Sequence, residues 1–242
     1  MASLRRLSPD APLRRRVVFA GVVGTPVVAV LAMAGRQWLE AGGLYPWKAA
    51  LIFAATMTVA VGYLREHPFS TFGPANRVTT VRLALLALLA ALIGEPVSAR
   101  VAAAGVGLTL VFAGLDGLDG WLARTSDMAS AFGARFDMET DALLIMVLSV
   151  LIWRHEKAGA WILAGGLLRY TFVAAGWVLP WMAGPLTPTY RAKAAAVGHM
   201  AGLAVALAPM VPFPTSAVAA GLSLLALTWS FAIDVGRLWS QR

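Results

Sequence analysis

The sequence contains no cysteine, only three histidines and few charged residues, and each shortage narrows what the protein can be. Without cysteine, disulfides, thiolate nucleophiles and thiolate metal sites are excluded. The three histidines, His67, His155 and His199, lie far apart in the sequence, which argues against a histidine-based zinc or di-iron site. Any metal ion should therefore be a hard cation held by carboxylates.

Charged residues account for 13% of the chain and apolar residues for 59%, whereas soluble domains carry roughly 25% charged residues. Because too few polar side chains remain to cover a water-facing surface, we predict that the protein faces lipid. The formal net charge of +8 does not indicate nucleic-acid binding. Basic residues commonly set the orientation of membrane proteins, and no soluble basic domain is left between the apolar runs.

The apolar residues form runs long enough for membrane helices, each of which needs about 20 residues. Glycine and proline clusters separate these runs, and the absence of a long polar linker argues against a separate soluble domain. The predicted fold class is all-α, a polytopic membrane helix bundle. The eight predicted spans are 17–35, 47–64, 78–94, 101–122, 134–153, 158–180, 194–211 and 215–236.

The distribution of Lys and Arg predicts the orientation of these spans. With the N-terminus in the cytoplasm, fourteen basic residues fall on the cytoplasmic side and five on the other side. This asymmetry follows the positive-inside rule and places both termini in the cytoplasm. Arg169 belongs to neither side, because it lies in the middle of the sixth span.

The first span has a second interpretation. Its basic lead, its apolar stretch and Ala32-Met33-Ala34 resemble a cleavable signal peptide. The length of the basic lead and Pro26 favour a retained helix instead. Orientation does not distinguish the two, because cleavage would leave the later helices oriented as before.

Four aspartates, Asp116, Asp119, Asp137 and Asp141, interrupt the fourth and fifth spans. A carboxylate inside a membrane is costly and usually faces a cavity, a partner or an ion. At about 100° per residue, Asp116 and Asp119 lie within roughly 60° of each other on a helix. Asp137 and Asp141 are four residues apart and stack on one face. The spacing therefore predicts one carboxylate pair on each helix.

The connection between the two helices, about residues 125–132, is short, so we expect antiparallel neighbours with both pairs at their cytoplasmic ends. Four converging carboxylates would repel one another unless a divalent cation neutralised them. Ligands that are all oxygen suit Mg²⁺ or Mn²⁺ better than zinc. Gly120 and Gly133 would let the helices, or a ligand, approach closely.

The order of these residues resembles the signature of the CDP-alcohol phosphotransferase family. It reads Asp116-x2-Asp119-Gly120-x2-Ala123-Arg124-x8-Gly133-x3-Asp137-x3-Asp141 and agrees with the signature at every fixed position. A pattern this long, gapped and rich in rare intramembrane residues is specific.

A second element agrees with the same family. Asn76-x2-Thr79-x2-Arg82 opens the third span and resembles the Asn-Thr-Arg pattern of the family's first core helix, although Ala75 separates Asn76 from the preceding proline. Arg82 itself has two interpretations from sequence, a ligand of substrate phosphate or a side chain that extends to the interface.

The resemblance implies an architecture and a reaction. An N-terminal extension with two transmembrane helices would occupy residues 1–65. A CDP-alcohol phosphotransferase domain with six transmembrane helices would occupy residues 66–242. The reaction implied is transfer of a phosphatidyl group from CDP-diacylglycerol, or another CDP-alcohol, to an acceptor alcohol with release of CMP, in phospholipid biosynthesis. The resemblance also implies a cofactor of two Mg²⁺ or Mn²⁺ ions. It further implies a homodimer in the cell (inner) membrane, with the active site on the cytoplasmic side.

The resemblance further implies roles for single residues. The metal ligands would be Asp116, Asp119, Asp137 and Asp141, with Asp141 also the catalytic general base. The residues expected to bind the CDP moiety are Asn76, Thr79, Asp116, Gly120, Ala123, Arg124 and Gly133.

The acceptor is the least determined part of the prediction. A guanidinium near the bilayer centre needs a partner, and for Arg169 this is an ion pair, backbone groups or a substrate phosphate. In the last case Arg169, Arg191 and Lys193 would hold the phosphate of a phosphorylated polyol such as glycerol 3-phosphate. The alternatives are a neutral acceptor, serine or a lipid alcohol, on the same fold, and a cation-coupled transporter.

Overall fold

The computed structural model describes residues 11–64, 67–126, 128–184 and 189–240, and the regular structure in these segments is helical, without a strand. This confirms the predicted all-α fold. The eight α-helices of the described segments are α1 (Ala11–Leu39), α2 (Tyr45–Tyr63), α3 (Pro74–Ala91), α4 (Ala99–Thr125), α5 (Ala131–Arg154), α6 (Leu163–Val178), α7 (Tyr190–Leu207) and α8 (Thr215–Ser240).

Each predicted span corresponds to one helix, with differences at the ends. The α3 helix stops at Ala91, before the predicted 94, and Gly94 then turns the chain with a φ of 92° that favours glycine. The α7 helix stops at Leu207, before the predicted 211, because Ala208 precedes a proline and adopts a ψ of 133°. A 3₁₀ turn, Ala160–Ile162, leads into α6.

Four of the described helices are long and apolar enough to cross a membrane: Pro12–Leu39, Ala99–Ala123, Ala160–Val178 and Thr215–Ser240. Large apolar side chains such as Phe19 and Trp229 are exposed along them, as expected for surfaces that contact lipid. The protein is therefore a membrane protein. Membrane crossing by α2, α3, α5 and α7 stays a prediction, since polar residues interrupt several of these helices.

The helices form two compact units. The first contains the chain up to Pro96 together with Gly107–Asp141, and the second contains Val97–Val106 and Ala142–Arg242. In the first unit α1 packs along α2, and α2 packs against α3. The two N-terminal helices thus lie in the same unit as α3. The functional boundary between residues 65 and 66 stays a prediction.

In the second unit α7 and α8 pack closely. A Cβ atom at Gly202 would overlap the side chain of Ser223, so this crossing needs glycine. His199 is fully buried beside it and forms a hydrogen bond from Nδ1 to Ser223 Oγ at 3.0 Å. Because Ser223 Oγ donates to Ala220 O, the imidazole Nδ1 carries the proton. His199 is a packing residue of this unit.

Candidate active site

The site is centred on Arg82, whose side chain is completely buried. The α3 helix that carries it begins after Gly73, which has a φ of 78°, and has a proline in its first turn. Asn76, Thr79 and Arg82 follow at intervals of three, so they lie along one side of α3. All three are buried.

The Arg82 guanidinium contacts all four aspartates of the sequence pattern. It forms an ion pair with Asp119 Oδ2 at 2.5 Å and with Asp116 Oδ1 at 2.9 Å. It also forms ion pairs with Asp137 and Asp141. The planar guanidinium, with five N–H donors, suits such a multiple contact. Arg82 thus joins α3 to the carboxylate pairs of α4 and α5.

The four aspartates differ in accessibility. The side chain of Asp119 is 5% exposed and that of Asp116 is 23% exposed, whereas Asp137 and Asp141 are 39% and 33% exposed. The pair on α5 is therefore the side of the cluster that a ligand can reach first. In the first unit, the carboxylate pair of α4 and the carboxylate pair of α5 lie together around Arg82, as the spacing predicted.

The cluster suits a hard divalent cation. Carboxylate oxygens of Asp116, Asp119 and Asp137 lie within 4.8 Å of one another, close enough to share an ion. A single guanidinium faces four carboxylates, so the cluster keeps an excess of negative charge. A donor set made only of carboxylate oxygen matches Mg²⁺ or Mn²⁺. Asp141 lies outside this group of three and reaches the cluster through Arg82.

Two residues of the expected nucleotide pocket lie on α3, where one contacts an aspartate and the other contacts Gly133 of α5. Thr79 Oγ1 donates a hydrogen bond to Asp119 Oδ2 at 3.3 Å, which orients that carboxylate. Asn76 Nδ2 donates to Phe72 O at 2.6 Å, while its Oδ1 lies 2.9 Å from where a Cβ on Gly133 would be. Gly133 therefore lets α5 approach α3 closely. The sequence predicted a close approach at Gly133, to the neighbouring aspartate helix or to a ligand, and did not predict α3 as the partner.

The remaining expected nucleotide residues lie on α4 beyond Asp119. Gly120 and Ala123 are partly exposed on this segment. The side chain of Arg124 lies outside the described residues. Contact of these positions with CDP stays a prediction.

The three basic residues expected to bind the acceptor belong to the second unit. Arg169 is half-buried on α6 and Lys193 is exposed in the first turn of α7. Arg191 Nη1 donates to the carbonyl oxygen and to the hydroxyl of Ser230, at 2.6 and 2.5 Å, and its Nη2 forms an ion pair with Asp234. Arg191 is thus held against α8 by protein groups.

Sequence reasoning missed the position of Arg82. The sequence left two interpretations of Arg82, a ligand of substrate phosphate or a side chain that extends to the interface. The second is wrong, because the guanidinium is buried among carboxylates. The available signal was spacing: Arg82 continues the line of Asn76 and Thr79, two residues already assigned to the site. An arginine also suits a cluster that needs an internal positive charge.

Comparisons with known proteins match this region. The family model for CDP-alcohol phosphatidyltransferases matches residues 72–233, which include the buried residues of α3 and all four aspartates. Proteins named "Putative cardiolipin synthase" from Mycobacterium bovis and Mycobacterium tuberculosis are 33% identical to the chain over 165 residues, covering 65% of this chain and 76% of theirs. No solved structure matches the chain significantly.

Proposed function

The chain belongs to the CDP-alcohol phosphatidyltransferase family, and from this premise we propose that it transfers a phosphatidyl group from CDP-diacylglycerol to an alcohol. Family membership makes the protein a transferase of phospholipid biosynthesis and favours this reading over a cation-coupled transporter. The observation that carries the proposal is the convergence of the four signature aspartates on one buried arginine.

In the proposed reaction Asp141 acts as general base. It accepts the proton of the acceptor hydroxyl, whose oxygen attacks the β-phosphorus of the donor. A new phosphorus–oxygen bond forms, the bond to the oxygen of the CMP group breaks, and CMP leaves. General bases of this kind contribute roughly 100- to 10,000-fold to rate. The Asp141 side chain is one-third exposed, so a substrate hydroxyl can reach it, which supports this role.

Asp116, Asp119 and Asp137 are the proposed ligands of one or two Mg²⁺ or Mn²⁺ ions, with Asp141 completing the set. When bound, such ions neutralise the pyrophosphate and stabilise charge on the attacking and leaving oxygens. Thr79 keeps Asp119 oriented. The partly exposed residues of α4, Gly120, Ala123 and Arg124, together with Asn76, are the proposed contacts of the CMP moiety.

Two acceptors have support. The name of the mycobacterial relatives favours phosphatidylglycerol, because a cardiolipin carries two phosphatidyl groups on one glycerol and one of them must come from the acceptor. Glycerol 3-phosphate is favoured by the basic set of Arg169, Arg191 and Lys193 in the second unit. Both acceptors carry a phosphate, so the same basic residues suit either one. Nothing specific favours serine.

The test is a panel of acceptors with purified protein in detergent. Labelled CDP-diacylglycerol is incubated with Mn²⁺ or Mg²⁺ and with phosphatidylglycerol, glycerol 3-phosphate or serine, and both CMP and the lipid product are measured. We expect CMP release that stops with EDTA, and a product that identifies the acceptor. No acceptor-dependent CMP release with either ion would contradict the proposal.

The basic residues have their own test. Arg169→Ala should raise the KM of the preferred acceptor and leave the KM of CDP-diacylglycerol unchanged. Lys193→Ala should do the same to a smaller extent, since Lys193 is exposed. An unchanged acceptor KM in both variants would remove these residues from the acceptor site.

We also propose a cell-membrane location with the aspartates at the cytoplasmic side, and a homodimer. The orientation rests on the excess of basic residues in the predicted cytoplasmic segments. Reporter fusions after Gly159 and after Gly236 test it, since the first should report the outside and the second the cytoplasm. Cross-linking in native membranes tests the dimer, which is expected from the family alone.

A further inference from the structure

The segment before α3, residues 67–73, contacts the segment before α5, residues 128–130. His67 Nδ1 lies 3.2 Å from Ser130 Oγ, and Thr71 Oγ1 lies 3.9 Å from Met128 Sδ. Gly73, the residue before α3, packs against Met128, so that a Cβ there would lie 3.3 Å from the Met128 methyl group. These contacts join segments about sixty residues apart in sequence. Both segments lead directly into helices that carry the site.

The hydrogen bonds of His67 have a definite direction. His67 Nε2 lies 2.8 Å from Thr71 O, and since a carbonyl only accepts, Nε2 is the donor. In a neutral ring Nδ1 then accepts the proton of the Ser130 hydroxyl. Ser130 Oγ in turn accepts from the backbone N–H of Gly133 at 3.0 Å. One chain of hydrogen bonds therefore runs from the segment before α3 to the first turn of α5.

Ser130 is the N-cap of α5. Its side chain satisfies the N–H of Gly133, and its carbonyl accepts the first helical bond, from Ala134 N at 3.0 Å. Caps of this kind determine where a helix begins and in which direction its first turn points. Gly133 is also the residue that packs against Asn76, and Asp137 follows one turn later on the same face.

Aromatic rings surround His67 and limit its movement. Its ring centroid lies 5.4 Å from that of Phe132 and 5.6 Å from that of Phe69, both edge-on. Phe72 lies 6.1 Å from Phe132, and Phe136 stacks on Phe132 at 5.8 Å. His67 is 7% exposed. The ring is thus fixed by packing as well as by two hydrogen bonds, and it is not in contact with the carboxylates itself.

We propose that His67 is a positioning residue of the active site: through Ser130 it sets the start of α5 and thereby the direction of Asp137 and Asp141. The proposal rests on the proposed function, because it assigns His67 a role in metal binding and turnover. It lies outside the family match, which begins at residue 72, so the resemblance does not imply it.

The test compares His67→Phe, which keeps an aromatic ring but removes both hydrogen bonds, with Ser130→Ala, which removes the cap. Each variant should bind Mn²⁺ about tenfold more weakly, at the lower end of the effect of residues that orient metal ligands. Binding is measured on purified protein by the electron paramagnetic resonance signal of free Mn²⁺. The kcat should fall while the KM of CDP-diacylglycerol changes little. Ser130→Thr keeps a capping hydroxyl and should restore both values.

The double variant His67→Phe/Ser130→Ala distinguishes one pathway from two. If His67 acts through Ser130, the double variant should lose no more Mn²⁺ affinity than either single variant, since coupled residues are not additive. Additive losses would contradict the connection through Ser130.

Ser98→Ala is the matched control. Ser98 Oγ accepts from Val101 N at 3.2 Å and so caps α4 in the same way, about five turns before Asp116. It should lower thermal stability by a similar amount and leave Mn²⁺ affinity unchanged. If His67→Phe behaves like Ser98→Ala, the role of His67 is structural and the inference is wrong. If the wild-type protein neither binds Mn²⁺ nor releases CMP, the proposed function is wrong, and the inference about His67 is wrong as well.

Discussion

At the scale of the residue, the charge around Arg82 determines what the site can do. Its guanidinium is surrounded by four carboxylates and lies 4.3 Å from the centroid of the Phe112 ring. Removing one partner from a buried group of ions is strongly destabilising, because the remaining charges lose their compensation. Arg82 therefore acts as an internal counter-charge that holds α3, α4 and α5 at the site.

Arg82→Gln should lower stability by about 3–5 kcal/mol, the usual cost of removing one partner from a buried ionic group. Mn²⁺ should restore part of this loss, because a divalent ion can replace the missing positive charge. Arg82→Lys should restore little, since one ammonium cannot reach four carboxylates at once. Thermal unfolding in detergent, with Mn²⁺ or with EDTA, measures these effects.

Arg77→Gln serves as the control for Arg82, because Arg77 is exposed on the same helix. It should change the unfolding temperature little. Equal losses in the two variants would contradict the assignment of Arg82 as the counter-charge of the cluster.

Asp141→Asn should fold normally but reduce turnover by at least about 100-fold, because the amide cannot accept the acceptor proton. The amide is close in size to the carboxylate, so Mn²⁺ binding by the other three aspartates should be largely retained. CMP release and circular dichroism are measured on the same sample. Glu139→Gln, two residues earlier on another face of α5, is the control and should retain activity. Near-normal CMP release by Asp141→Asn would remove it as the base.

At the scale of the element, the turn between α1 and α2 is tied to the end of α3. Glu95, 5% exposed, accepts a hydrogen bond from Gly42 N at 2.6 Å and forms an ion pair with Lys48. Lys48 Nζ also donates to Ile93 O at 3.2 Å, and Tyr45 Oη donates to Leu88 O at 3.3 Å. Several independent bonds therefore connect the N-terminal hairpin to the helix that carries Arg82.

Charge strengthens this connection. Burial by itself would raise the pKa of Glu95, but hydrogen bonds from Lys48 and Gly42 and the nearby positive charges of Lys48 and Arg36 outweigh it. The pKa is therefore lower than its ordinary value of 4.5. Since the folded protein favours the ionised carboxylate, the stabilisation is complete well above pH 4.5 and is lost as the pH falls through the lowered pKa.

Glu95→Gln should lower stability at pH 7 by about 1.5–3 kcal/mol, as for hydrogen bonds to a charged group. The difference from wild type should shrink as the pH falls below about 4.5, because the unfolded carboxylate then takes up a proton, and it should disappear once the pH is below the lowered pKa of the folded protein. Unfolding temperatures measured from pH 7 to pH 3.5 check both statements. A difference that does not vary with pH would rule out the ionic contribution.

At the scale of the whole molecule, α1 and α2 are part of the unit that contains the aspartates. The family match begins at residue 72, and by sequence the first two spans look like an addition to a six-helix core. In the structure these two helices share a compact unit with α3 and the site. Removing them would take away the hydrogen bonds that Glu95 receives from Gly42 and Lys48.

A chain that begins at residue 66 should therefore be less stable than the full chain and should lose CMP release in proportion to the loss of folded protein. Fluorescence-detected size-exclusion chromatography before and after heating measures the stability. Co-expression of residues 1–65 as a separate polypeptide should recover part of both properties. A truncated chain with full stability and full CMP release would show that the hairpin is accessory to the core.

Much of the fold and of the site follows from local sequence. The apolar runs predict the helices, because each run must satisfy its backbone hydrogen bonds internally in lipid. The i, i+3 and i, i+4 spacing of Asp116, Asp119, Asp137 and Asp141 predicts which side chains share a face, because helical geometry is regular. Helix ends were predicted less well. The α7 helix ends at Leu207 because Pro209 disfavours a helical conformation at Ala208, although the apolar run continues beyond it.

The amino-acid sequence alone determined the membrane environment, the helical class and a carboxylate cluster suited to a hard cation. Only the tertiary structure decided which residues meet across helices: Arg82 with all four aspartates, Glu95 with the α1–α2 turn, and His67 with the cap of α5. The physical reason is that spacing along one helix determines a face, whereas contacts between helices depend on packing. The four aspartates, which the sequence presents as two pairs, become one cluster only because that packing places a buried arginine between them.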